Sequence, residues 1–111
     1  MGAQRELSGN KLIAKFEYGD LCENLDSDDD CLVRDDDTNY IDFYVSDARY
    51  HDSWDWLMPV IKKIRSIHNE EFTFAEYDDA TAIIKYINPY DYDIDFVFEN
   101  VVKFIKWYNE R

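Results

Sequence analysis

The chain has 111 residues, of which 46% are hydrophobic and 17% aromatic, and it sets 25 acidic side chains against 12 basic ones for a net charge of −13. That length suits one domain with one core, and the wealth of Tyr, Phe and Trp argues against a disordered acidic chain. The acidity disfavours direct binding to nucleic acid or to an anionic membrane, both of which need a basic footprint.

In chain order, Leu12, Ile13 and Phe16 recur at helical spacing with Lys11, Lys15 and Glu17 turned outward, which predicts a short helix over residues 9–18. Ser8 or Asn10 would cap it and Gly19 would stop it. Residues 20–39 have no apolar period and hold nine acids with one arginine, the composition of a loop or inserted segment. Tyr40, Asp42 and Tyr44 then alternate with Ile41, Phe43 and Val45, the pattern of a strand that buries one face. Ser53 or Asp52 caps a second helix, whose Leu57, Val60, Ile61, Ile64 and Ile67 form a core stripe. Pro59 predicts a tight first turn or a kink in it. Residues 71–77 and 81–87 read as a hairpin through Asp78-Asp79-Ala80, with a helix over 77–86 as the competing reading. Beyond Asn88-Pro89-Tyr90, Asp95 caps a last helix that lines up Val97, Val101, Phe104, Ile105 and Tyr108. The expected order is α-β-α-β-β-α: a single α+β domain over residues 1–111, with a largely antiparallel sheet of about three strands covered by helices and an acidic loop at 20–39.

The acid is concentrated. Between Asp20 and Asp55 stand thirteen acidic residues against Arg34 and Arg49 alone. Such a run is a solvated loop, a metal site, or a surface for a cationic partner. Asp26, Asp28 and Asp30 are spaced like the first three ligands of a calcium loop, with Asp37 at its twelfth position. Cys31 stands where that loop needs glycine, however, and Asp37 is shorter than the usual bidentate Glu. Cys22 and Cys31 flank the densest acid. A disulfide between them is geometrically possible, but reduced thiols are expected without a secretion signal, and neighbouring carboxylates disfavour a reactive thiolate.

His51 and His68 lack the company of a zinc motif or a nucleophile, no glycine-rich phosphate loop exists, and paired carboxylates for acid and base work need a pocket that a solvated loop does not provide. No enzyme and no cofactor are expected. Trp54, Trp56 and Trp107 suit either packing or an aromatic cage, with packing the stronger reading. No run approaches the roughly 18 to 20 apolar residues of a membrane span, and residues 1–10 lack the order of a signal peptide, so a cytoplasmic protein is expected.

Three segments, Asn10-Lys11-Leu12-Ile13-Ala14-Lys15-Phe16, Tyr50-His51-Asp52-Ser53-Trp54-Asp55-Trp56-Leu57-Met58-Pro59-Val60 and Val101-Val102-Lys103-Phe104-Ile105-Lys106-Trp107-Tyr108-Asn109, resemble a group of small uncharacterised proteins from Bacteroidetes-type bacteria and their phages. The resemblance covers the expected helices, less than half of the chain, and departs in the acidic segment and in residues 72–87. It implies no catalytic residues. It does imply a phage or mobile-element setting and hence a role against a host protein. The resulting expectation is an acidic binding protein that mimics nucleic acid and inhibits a host defence or DNA- or RNA-handling protein, as anti-CRISPR proteins do. Asp26, Asp28, Asp29, Asp30, Asp35, Asp36 and Asp37, joined by Asp91, Asp93 and Asp95, would meet its cationic surface. The alternatives are a structural or regulatory protein whose acidic loop is merely solvated, and a calcium-binding loop protein.

Overall fold

A computed structural model describes residues 2–23, 32–70, 72 and 74–110. The chain divides into two compact units, Met1–Arg49 and Tyr50–Arg111. Together they place an antiparallel sheet in the first unit and most of the helix in the second, an α+β composition.

The first unit opens with α1, Gly2–Tyr18. This helix is longer than its apolar stripe predicts, so Ser8 and Asn10 are interior positions and not caps. Ile13 and Ala14 are fully buried. Asn10 is buried too, and its Nδ2 donates to the carbonyl of Ala48 at 3.1 Å, tying the helix to a distant segment of the same unit. The helix stops at Gly19, whose φ of 58° is left-handed and suits a residue without Cβ. Lys15 Nζ caps this end by donating to the Gly19 carbonyl at 3.2 Å.

A 3-10 helix, Gly19–Leu21, leads into β1 (Cys22–Glu23), followed by β2 (Leu32–Arg34) and β3 (Ile41–Tyr44). These run antiparallel in the order β1-β2-β3, with β2 and β3 as the main pair and β1 adding two residues. Part of the expected acidic loop is therefore sheet, because Leu32 and Val33 are apolar enough to be buried between acidic flanks. Cys22 is buried in β1; Cys31 lies outside the described residues. Val33 pairs with Phe43 and Arg34 with Ile41, so Asp42 is an extra residue on β3, a bulge. The bulge breaks the expected alternation: Phe43 is half-buried and Val45 buried, whereas Ile41 is 43% exposed. The ring of Tyr18 packs edge-on against Phe43 at 5.7 Å. A second 3-10 helix, Val45–Asp47, closes the unit beside α1.

The second unit is helical: α2 (Trp54–Glu70), α3 (Phe74–Ile84) and α4 (Ile94–Glu110), each packed on the other two. Helix α2 runs on through Pro59 without a break, and its first turn is tight, with the Ser53 carbonyl accepting from both Trp56 and Leu57. Leu57, Val60, Ile61, Ile64 and Ile67 are buried as the stripe requires.

In place of the expected hairpin over 71–87 stands the helix α3, Phe74–Ile84, nearer the competing reading of a helix over 77–86. Ala80, Ile84 and Ile87 are buried at helical spacing, and the Thr81 hydroxyl donates to the Tyr77 carbonyl at 2.7 Å, one turn back. A guanidinium nitrogen of Arg65 donates to the Ile87 carbonyl at 3.1 Å, holding the end of this segment to α2.

Helix α4 buries Val97, Phe98, Val101, Phe104 and Ile105. Its cap is Asp93, whose Oδ1 accepts from the Phe96 amide at 3.0 Å; the expected cap, Asp95, sits inside the first turn. Among the described residues the order is thus helix, three short strands, then three helices, not α-β-α-β-β-α.

Tryptophans serve packing. Trp56 meets the buried Tyr50 edge-on at 5.3 Å, and Trp107 meets Phe72 edge-on at 5.3 Å. No helix among the described residues is long and apolar enough to cross a membrane.

Candidate functional site

The acidic surface has two described parts, one in each unit. In the first unit, residues 35–40 join β2 to β3 as a turn that orders itself. Asp35 Oδ1 accepts from the amides of Asp37 at 2.8 Å and Thr38 at 3.1 Å. Its backbone carbonyl accepts from Asn39 at 2.8 Å, and its own amide donates to Tyr40 at 2.8 Å. Asn39 takes φ 62°, a left-handed conformation that asparagine tolerates, and Arg34 Nη1 donates to its carbonyl at 3.1 Å. Local hydrogen bonding by a short carboxylate is what lets a charged loop hold one shape.

Asp35, Asp36 and Asp37 are all exposed on this turn, and Asp42 and Asp47 are exposed further along. Of the predicted set, Asp26, Asp28, Asp29 and Asp30 lie outside the described residues. The same holds for three of the four candidate calcium ligands, so that geometry is not on view. The fourth, Asp37, belongs to the hairpin turn. No group of three or more His, Cys, Asp or Glu side chains among the described residues is arranged to hold a metal ion.

Electrostatic crowding leaves a mark inside the unit. Burial, reinforced by the charges of Glu17 and then Asp42, holds the Tyr18 hydroxyl above its ordinary pKa of 10.0.

In the second unit, Asp91, Asp93 and Asp95 are exposed around the turn between α3 and α4. Asn88 builds that turn: its Oδ1 accepts from the Tyr90 amide at 3.0 Å, its carbonyl from Asp91 and Tyr92, and its Nδ2 donates to Asp91 Oδ2 at 2.8 Å. Sequence reading missed the rings gathered there. Tyr86, Tyr92 and Phe96 meet one another with centroids 4.7 to 6.0 Å apart. The usable signal was the four-residue spacing of Tyr92 and Phe96 at the entry to a helix.

The histidines are placed as packing groups. His68, in the last turn of α2, stacks on Tyr77 at 4.0 Å, and its Nε2 lies 2.9 Å from Thr81 Oγ1. Because the Thr81 proton is given to Tyr77, that nitrogen donates. His51 packs edge-on against Phe98 at 6.2 Å and lies 3.6 Å from an Asp52 oxygen.

No protein-family model, curated protein or solved structure matches the chain.

Proposed function

We propose that this chain is an acidic binding protein that meets the cationic surface of a nucleic-acid-handling protein, with carboxylates standing where phosphates would lie. The observation that carries the reading is the turn at 35–40, where three consecutive exposed aspartates are held on a backbone fixed by the chain's own hydrogen bonds. A solvated linker has no need of such order, whereas a docking surface gains from it, since less conformational freedom is lost on binding. The charge supports the same reading: the first unit holds 13 acidic residues against 5 basic ones. Long-range attraction of that sign speeds and orients an encounter with a basic groove and weakens with salt. The reading takes a host defence protein as the target, and inhibition by occupancy as the outcome.

Capture of proteins from a bacterial lysate on the immobilised chain tests this. Nucleic-acid-handling proteins are expected to bind at about 50 mM salt, to leave at about 500 mM, and to be displaced by added duplex. Replacing Asp28, Asp29, Asp30, Asp35, Asp36 and Asp37 together by Asn, which keeps the side-chain acceptor at position 35, is expected to abolish capture. Undiminished capture by that variant, or indifference to competing duplex, overturns the reading.

A further inference from the structure

The turn between α3 and α4 displays more ring surface than a solvated connection needs. Tyr90 is 94% exposed, and Tyr92 and Phe96 are each 37% exposed. Beneath them the backbone is fixed by Asn88 and by the Asp93 cap, so the rings are presented on a preorganised frame. Rigid, amphipathic tyrosines on an ordered turn are the side chains that dominate recognition surfaces, because they offer large contact area at low entropic cost.

The neighbours of these rings decide what fits. Tyr90, Tyr92, Ile94 and Phe96 alternate in sequence with the exposed Asp91, Asp93 and Asp95. An anion is repelled there. Two amides of the first turn of α4, which would otherwise attract one, are already used, Phe96 donating to Asp93 Oδ1 and Val97 to the Asp93 carbonyl. A purely apolar partner would strip water from carboxylates without replacing it. A cation with a flat face satisfies rings and carboxylates at once. The chain already places one cation over a ring of this cluster, with Lys85 Nζ 4.9 Å from the centroid of Tyr86. Between the two basic side chains, guanidinium is the better fit, being planar, weakly hydrated and able to stack on a ring while pairing with a carboxylate.

We propose that Tyr86, Tyr90, Tyr92 and Phe96, with Asp91, Asp93 and Asp95, form a docking surface for an arginine side chain of a partner protein. The inference rests on the reading above in taking a cationic protein as the partner, and it adds a preference: the hairpin acids attract any positive charge, whereas this patch selects arginine over lysine.

The test is a titration of the isotope-labelled full chain with two peptides of equal length and charge, one alternating Gly and Arg, the other Gly and Lys, in about 150 mM salt. The arginine peptide is expected to shift the amides of residues 86–97 and to bind about threefold or more tightly than the lysine peptide. Tyr90→Ser, which removes an exposed ring and no packed one, is expected to pull that ratio toward unity, with the amide spectrum otherwise unchanged. Asn at positions 35, 36 and 37 is expected to weaken both peptides alike and to leave the ratio standing. Equal affinity for the two peptides, or shifts confined to residues 32–42, overturns the proposal. So does a change at 86–97 that follows protein concentration alone, which would make a second copy the occupant. Failure of the broader reading looks different: arginine preference persists while no nucleic-acid-handling protein is captured.

Discussion

The two acidic turns reach order by different routes. At 35–40 the charged group and the organising group are the same, since the carboxylate of Asp35 binds the amides of Asp37 and Thr38. Between α3 and α4 the organiser is the neutral Asn88, with Asp93 capping the helix beyond, and aromatic rings gather alongside. Negative charge on a surface is thus compatible with two architectures: a hairpin tip that a carboxylate orders, and a helix junction that offers charge beside a cluster of packed rings. Their supports differ as well. The junction is backed by the buried apolar faces of α2 and α4, while the hairpin grows from a three-residue strand and a bulged neighbour.

The comparison breaks most visibly at its supports. Phe104 is fully buried in α4, and Phe104→Ala is expected to cost about 3–5 kcal/mol in urea unfolding. Ile41→Ala on β3, at a position 43% exposed, is expected to change stability by no more than about 0.5 kcal/mol. Comparable losses at the two positions would mean that the hairpin carries a core of its own.

At the turns themselves the contrast lies between removing charge and removing an acceptor. Asp93→Ala deletes the α4 cap and is expected to cost about 1 kcal/mol, read as a lower thermal midpoint, whereas Asp93→Asn keeps the cap and is expected to be nearly neutral. Asp35→Ala is expected to cost about 1 kcal/mol or less and to broaden the amide signals of residues 36–39, with Asp35→Asn sparing both. If the Asn variants lose as much as the Ala variants, charge and not hydrogen bonding orders the turns.

The smallest effect belongs to Tyr18. Its hydroxyl ionises less readily in the folded chain than in the unfolded one, so the associated stability is complete below pH 10 and falls as the pH rises through the raised folded value. Tyr18→Phe is expected to flatten that alkaline decline in urea unfolding at pH 9 and pH 11 and to leave neutral pH little changed. A decline of the same slope in the variant would assign it to the other tyrosines.

How far the fold was legible follows from the length of each pattern. Helices α2 and α4 each repeat their apolar stripe over several turns, and both stripes are buried. Among its described side chains helix α3 buries Ala80 and Ile84, with Ile87 buried just beyond its end, and the β-branched run at 81–84 masks that period; propensity for strand is weak when a helix face can be buried instead. Ser8 and Asn10 look like caps because both types prefer that position, yet Asn10 serves as a buried tether to Ala48. Strand β2 is too short to announce itself amid aspartates. The acids of the site were plain in the sequence, but not the hydrogen bonds that order the turn at 35–40. Nor was the ring cluster, because Tyr86 joins Phe96 only once α3 is a helix that returns the chain to the start of α4.

Asp42, the extra residue of β3, places a charge on the exposed edge strand of the sheet. An edge strand that offers Ile41 and Tyr44 to water is a template for strand pairing between copies, and a charge set in a bulge is a common guard against it. The mutual repulsion of the molecules also fades as the pH approaches the isoelectric point near 4.3. Precipitation is expected to begin there, at this edge, and storage or crystallisation belongs well above that pH.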